Sequence, residues 1–225
     1  MTAFSAANMN FGQGRDRQHL QHLARHAHAA GLVECIDRRE AQPRPLDIAA
    51  LVPAGWTAHQ DTSSVARAGS AIILRDDVLR VREGARLRLK VSARPWFRGA
   101  RLTMETRHMA CLPVEHVPTE DPYFLVAVHL APKRYKALWP RQIRRLRRVV
   151  RRRPNVVILT DGNMPAAELV ERLNVPGLTW AGAEVMAVLW NNRHLEATAT
   201  AVDRWGQRHG STDHPDVTAE LEHRR

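Results

Sequence analysis

The chain has 225 residues, 44% of them hydrophobic and 25% charged, an ordinary globular balance with room for one large domain or two small ones. No apolar run approaches the roughly 18 residues that a membrane-spanning helix needs. The stretch from Met1 to Asn8 lacks a basic segment followed by an apolar one, so neither a span nor a secretory leader is expected. The formal net charge is +11 and the pI about 11.1, which favours polyanions, nucleic acid first. Almost all of that charge is arginine, with lysine only at 90, 133 and 136, a bias that a GC-rich genome also produces. Cys35 and Cys111 each sit in an apolar strand-like segment and read as small core residues, in keeping with a reducing, cytoplasmic setting.

In chain order, Phe4 to Phe11 predicts a strand carrying Asn8-Met9-Asn10, followed by a Gly12-Gln13-Gly14 turn. Asp16 to Ala30 predicts a helix packed through Leu20, Leu23, Ala24, Ala27 and Ala30 and ended by Gly31. His19, His22 and His26 fall near one another on it. Without a carboxylate or cysteine at ligand spacing, a solvated face is the plainer expectation for them. Leu32 to Asp37 predicts a second strand, making the opening a β-α-β unit. A short helix is expected at 46–51, then strands over Gly55–Gln60, Ser70–Leu74, Arg86–Val91, Arg101–Ala110 and Phe124–Leu130.

Trp139 to Arg153 predicts an amphipathic helix with Trp139, Ile143, Leu146 and Val150 on one face. Arg141, Arg144, Arg145, Arg148 and Arg152 occupy the other face, which is expected to meet solvent or phosphates. Val156-Val157-Ile158-Leu159 then runs into Thr160-Asp161-Gly162-Asn163. An apolar run without polar alternation suits a strand buried on both faces. In extended backbone, residues two apart point to the same side, so Asp161 and Asn163 would project together at its end. The alternative is a plain Asx turn. A short helix over Ala166–Leu173 follows, then a hairpin of Glu184–Trp190 and His194–Val202, then a segment from His209 to Leu221. Absence of repeats and linkers predicts one domain over 1–225.

The polar residues at these strand ends are Asn8 and Asn10, Asp37 or Glu34, His129, Asp161 and Asn163, Glu184, and Asp213 with His214. Acids, amides and two histidines, with no cysteine or serine arranged as a nucleophile, suit metal-assisted attack of water on a phosphate. Carboxylate and amide oxygens bind a hard divalent ion such as Mg²⁺, and imidazole exchanges protons near neutral pH.

In order and placement, these residues resemble the motifs of the endonuclease/exonuclease/phosphatase superfamily. Asn8-Met9-Asn10 matches its early Asn-x-Asn, Cys35-Ile36-Asp37 echoes its Leu-Gln-Glu, and Val128-His129-Leu130 matches its Val-His-Leu. Thr160-Asp161-Gly162-Asn163 matches Gly-Asp-x-Asn. Glu184 corresponds to an acid opening a late strand, with Asp203 as competitor, and Thr212-Asp213-His214 matches Ser-Asp-His. For the second motif, counting along the strand favours Asp37 and sends Glu34 to the opposite face.

The resemblance implies an α/β (α+β) fold, a deoxyribonuclease I-like four-layer β-sandwich of two mixed sheets flanked by helices. It implies a divalent-metal-dependent phosphodiesterase using Mg²⁺, with Mn²⁺ as a possible substitute. Asp37, Asn10 and Asp213 would hold the metal. Asp161 would activate the water, and Asn8 and Asn163 would position the phosphate and the acid. His214, oriented by Glu184, would bind the scissile phosphate, and His129 would serve the leaving group. With the basic charge, the expected partner is nucleic acid, DNA ahead of RNA, and not a membrane. A phosphatase acting on a small phosphorylated molecule or lipid headgroup is the first alternative. A non-catalytic nucleic-acid-binding protein on the same fold is the second.

Overall fold

The computed structural model describes residues 1–9, 15–37, 43–63, 69–82, 88–90 and 108–224. Strands β1 (Thr2–Asn8), β2 (Ala29–Val33), β5 (Trp56–Gln60), β6 (Ser70–Arg75), β14 (Leu195–Asp203) and β15 (Asp216–His223) form one mixed sheet, in the order β14-β15-β1-β2-β6-β5. A second sheet runs β12 (Leu178–Ala183), β13 (Met186–Asn191), β11 (Val156–Asp161), β10 (Pro122–His129), β9 (His108–His116) and β7 (Leu79–Val81), with β8 (Arg88–Lys90) also on β9. A small ladder pairs β3 (Ile36–Asp37) with β4 (Arg44–Pro45).

Side-chain alternation sorts these strands into layers. Phe4 and Ala6 of β1, Leu125 and Ala127 of β10, and Val157 and Leu159 of β11 meet in one core between the sheets. The residues between them point outward. Val126, Val128, Val156 and Ile158 pack beneath helices α2 (Trp139–Val150) and α3 (Ala166–Leu173). Ala7, Ala30 and Leu32 pack beneath α1 (Asp16–Leu23). Helix, sheet, sheet and helices make four layers, the deoxyribonuclease I-like sandwich that the motifs implied.

The sheets approach closely at Gly31, where an added Cβ would stand 2.3 Å from Leu159 Cβ and 3.1 Å from Ala127 Cβ. The sequence reading had placed Gly31 at a helix end. In fact α1 stops at Leu23, a turn carries Ala24 to His26, and Gly31 lies inside β2, whose residues Ala29 and Ala30 are already strand. The small residues Ala27, Ala29, Ala30 and Gly31 suit helix propensity only in part. What decides their conformation is the need for thin residues where two sheets touch.

Two further expectations change. The segment 46–51 is a turn, not a helix. The hairpin expected over Asn191-Asn192 does not form, because β13 pairs β11 and β12 while β14 pairs β15 in the other sheet. The hairpin that does form is β12–β13, around Glu184 and Val185, with Glu184 left-handed at φ 56°. The segments predicted at 86–91 and 101–110 fall partly outside the described residues.

Helix α2 runs back from the site-bearing end of β10 to the start of β11, since those strands are parallel. Trp139 Nε1 donates to Ala131 O at 2.7 Å and Gln142 Oε1 accepts from Ala131 N at 3.0 Å, which ties down the chain just after His129. Arg147 donates to the carbonyls of Leu173 and Arg172 and so caps α3. Arg141, Arg144, Arg148 and Arg152 are exposed on the outside of the helix layer. Both cysteines are free and buried, and burial pushes the Cys111 thiol up to about 12 and raises Cys35 further, so neither is a nucleophile at neutral pH. Among the described residues, no helix is long and apolar enough to cross a membrane.

Gly31→Ala should lower stability by about 1–3 kcal/mol, because the new methyl group meets Cβ atoms that cannot swing aside. Urea unfolding measures this, with the midpoint falling and the slope unchanged. A midpoint equal to wild type would contradict the close approach of the sheets.

Candidate active site

The inward-facing rows of β1, β10 and β11 each end in a polar residue: Asn8, His129 and Asp161. Alternation alone aims all three at the same rim of the sandwich, since Phe4-Ala6-Asn8, Leu125-Ala127-His129 and Val157-Leu159-Asp161 are single faces. His129 and Asp161 are also direct register partners across parallel strands.

Asp161 is 1% exposed. A carboxylate so deeply buried needs donors, and it has them. Asn8 Nδ2 donates to Oδ2 at 3.1 Å, and the backbone N–H of Asn163 donates to Oδ1 at 3.0 Å. His129 Nε2 stands 3.5 Å from Oδ2 and His214 Nε2 stands 3.8 Å from it. Asn163 adopts left-handed φ 49°, and its Nδ2 donates to Leu130 O at 2.9 Å. That turn is what lets the Asn163 N–H reach back to Asp161, the Asx geometry weighed from the sequence.

His214 sits on the turn leading into β15, its backbone N–H held by Thr212 Oγ1 at 3.1 Å. Its Nδ1 is shielded from solvent, makes no hydrogen bond among the described residues, and faces Glu184 Oε2 at 4.0 Å. Glu184 in turn accepts from Arg204 at 2.9 Å. The competitor Asp203 pairs instead with His22, so of the two acids Glu184 is the one beside His214. Asp213 Oδ1 lies 3.5 Å from His214 Nε2, with its side chain largely exposed.

For the second motif, Glu34 is the acid that stands beside His129. Glu34 Oε1 stands 3.8 Å from His129 Nε2, whereas Asp37 stands 3.6 Å from Arg44 across the β3–β4 ladder. Strand counting failed because the strand ends at Val33. Glu34 takes φ 57°, which breaks the alternation: Leu32 and Cys35 both enter the core under α1, and Glu34 is turned toward the rim. The usable signal was the residue type, since the resembled motif carries Glu. Asn10 lies outside the described residues.

The rim thus gathers Asp161, Glu34, Asn8, His129 and His214, with Glu184, Asp213 and Asn163 around them. Carboxylates with amide groups are the donor chemistry of a hard divalent cation, and crowding of acids about Asp161 is the electrostatic condition that such a cation relieves. Two imidazoles beside a buried carboxylate supply proton donors and acceptors at neutral pH.

Neither family models nor curated protein sequences match the chain. Solved structures do. One is an endonuclease/exonuclease/phosphatase from Bacteroides vulgatus, 12% identical with a TM-score of 0.74, covering 99% of both chains. Another is D. rerio TDP2 complexed with single strand DNA product, 11% identical with a TM-score of 0.71, covering 98% of both. A third is the mannosyl-6-phosphatase of Bacteroides thetaiotaomicron, 12% identical with a TM-score of 0.62, covering 99% of this chain and all of that one. The chain therefore has the endonuclease/exonuclease/phosphatase fold.

Glu34→Gln should weaken Mn²⁺ binding, measured by calorimetry, by at least about tenfold, while Asp37→Asn leaves it unchanged. The reverse ranking would restore Asp37 as the metal acid.

Proposed function

We propose that this protein is a member of the endonuclease/exonuclease/phosphatase superfamily, built as one domain over 1–225, that hydrolyses phosphodiester bonds of nucleic acid with a divalent cation. The observation that carries the reading is the buried Asp161 carboxylate, held by Asn8 and the Asn163 N–H, with two imidazoles within 3.8 Å. Glu34, with Asn10 and Asp213, would hold Mg²⁺, for which Mn²⁺ would substitute. When bound, the ion supplies charge stabilisation for the phosphate as it becomes pentavalent.

The residues do the rest. Asp161 Oδ2 orients the attacking water and takes its proton as oxygen bonds to phosphorus. Asn8 and Asn163 fix that carboxylate, so no reorganisation accompanies the step. His214 Nε2 donates to a non-bridging phosphate oxygen, with the Glu184 carboxylate facing its Nδ1 side and orienting the ring. On the opposite side of phosphorus the P–O bond breaks and the leaving oxygen takes a proton from solvent, while His129, 3.5 Å from Asp161 Oδ2, stays on the attacking side and donates to the phosphate. The products are a phosphomonoester and an alcohol.

Net charge of +11 supports a polymeric polyanion, and the likeness to TDP2 held with a DNA product supports reading it as DNA ahead of RNA. A monoester phosphatase is the second reading. It is favoured by the likeness to a mannosyl-6-phosphatase and by the position of the arginine face of α2 on the outer helix layer.

Plasmid DNA, an abasic duplex, RNA and sugar or inositol phosphates, offered side by side with Mg²⁺, separate these readings. Turnover of DNA by wild type is expected, and Asp161→Asn should cut the rate by about 10²–10⁴-fold with the fold retained. Nicking retained by the variant would refute the assignment, and turnover of soluble monoesters alone would select the phosphatase.

A further inference from the structure

A second cluster of ligand-type side chains lies away from this rim. His22 lies in the last turn of α1, His26 follows one turn later, and Asp203 closes β14. One nitrogen of each histidine and one oxygen of Asp203 all lie within 4.8 Å of one another. From the sequence alone the histidines lacked a carboxylate partner, and the fold supplies it from a residue 181 positions away.

Each ligand is already oriented. The His22 ring stacks on Trp205 with centroids 4.8 Å apart and planes 10° apart, and the His26 ring stands 4.9 Å from that of His22. Asp203 Oδ1 accepts from the Trp205 backbone N–H at 2.8 Å, which leaves Oδ2 for His22, now 2.5 Å away. The Arg208 guanidinium approaches the same Oδ1 at 3.6 Å from an exposed position, on the side away from the histidines' oxygen. His22, His26 and Asp203 border a cavity of about 330 Å³. Bonds of about 2.0–2.1 Å in a tetrahedral site put ligand atoms roughly 3.4 Å apart. The present separations, 2.5 Å between His22 and Asp203 and no more than 4.8 Å across the set, bracket that spacing.

We propose that His22, His26 and Asp203 form a three-ligand site for a borderline transition-metal cation, Zn²⁺ foremost. Two imidazoles and one carboxylate are its donor set, whereas Mg²⁺ takes oxygen ligands. The fourth position stays open to water or an anion, since His26 is exposed. Occupancy would clamp the end of α1 to the β14 corner. The next residue, Arg204, reaches Glu184 beside His214, so the clamp borders the active site without belonging to it.

Co²⁺ is the probe. Untagged protein is stripped with chelator, given excess Mg²⁺ to occupy the oxygen site, and titrated with Co²⁺ while visible d–d absorption is followed. Zn²⁺ competition then gives affinity. Wild type and Asp161→Asn should each show one equivalent of a four-coordinate spectrum. His26→Ala and Asp203→Asn should weaken Zn²⁺ by at least about tenfold, with circular dichroism and melting confirming that both variants fold. The exposed His26 makes loss of fold in its variant unexpected. A wild type without the spectrum, a His26→Ala protein that binds as tightly, or a signal lost in Asp161→Asn alone would overturn the proposal.

Discussion

Asp161 is a carboxylate in the interior, and everything near it answers the cost of keeping it there. An ion at that depth without donors would be destabilising by several kcal/mol. Asn8 and the Asn163 N–H supply two neutral donors to Asp161. These amide donors hold the carboxylate in a fixed orientation at the rim. The left-handed Asn163 and the parallel pairing of β10 with β11, which brings His129 alongside, serve this one requirement.

Much of this was legible in the sequence, for a definite reason. Strands β1, β10 and β11 are mostly apolar and largely buried, so the amide, imidazole and carboxylate at their ends are conspicuous, and period-two alternation fixes their direction. Asn8, His129 and Asp161 come from strands of that kind. Glu34 was misjudged because its direction depends on one backbone dihedral, and φ 57° at a glutamate leaves no mark in composition or periodicity. Gly31 was misjudged because glycine has two uses. Its freedom at a helix end and its lack of a side chain look identical in sequence, and only the opposite sheet, at Leu159, says which applies.

The strands missed or mispaired share a cause. β12 contains Thr179, Trp180 and Gly182 among its apolar residues and carries weak alternation, so its hairpin with β13 was obscured. Asn191-Asn192 looked like a turn and is one, but it hands the chain from one sheet to the other. Turn chemistry is local, whereas the choice of sheet is a long-range packing outcome. The same distance limit hid the partner of the α1 histidines. Asp203 joins them only because β14 ends where α1 does.

In the proposed function, Glu34 and Asp161 border one cation site at the rim of the sandwich. Crystals grown with Mn²⁺ and measured at its absorption edge test it directly, because the anomalous signal locates the ion without reference to activity. A peak within bonding distance of the Glu34 carboxylate, facing the Asp161 cluster, is expected. A peak on Asp37, or none at this rim with millimolar Mn²⁺, would contradict it.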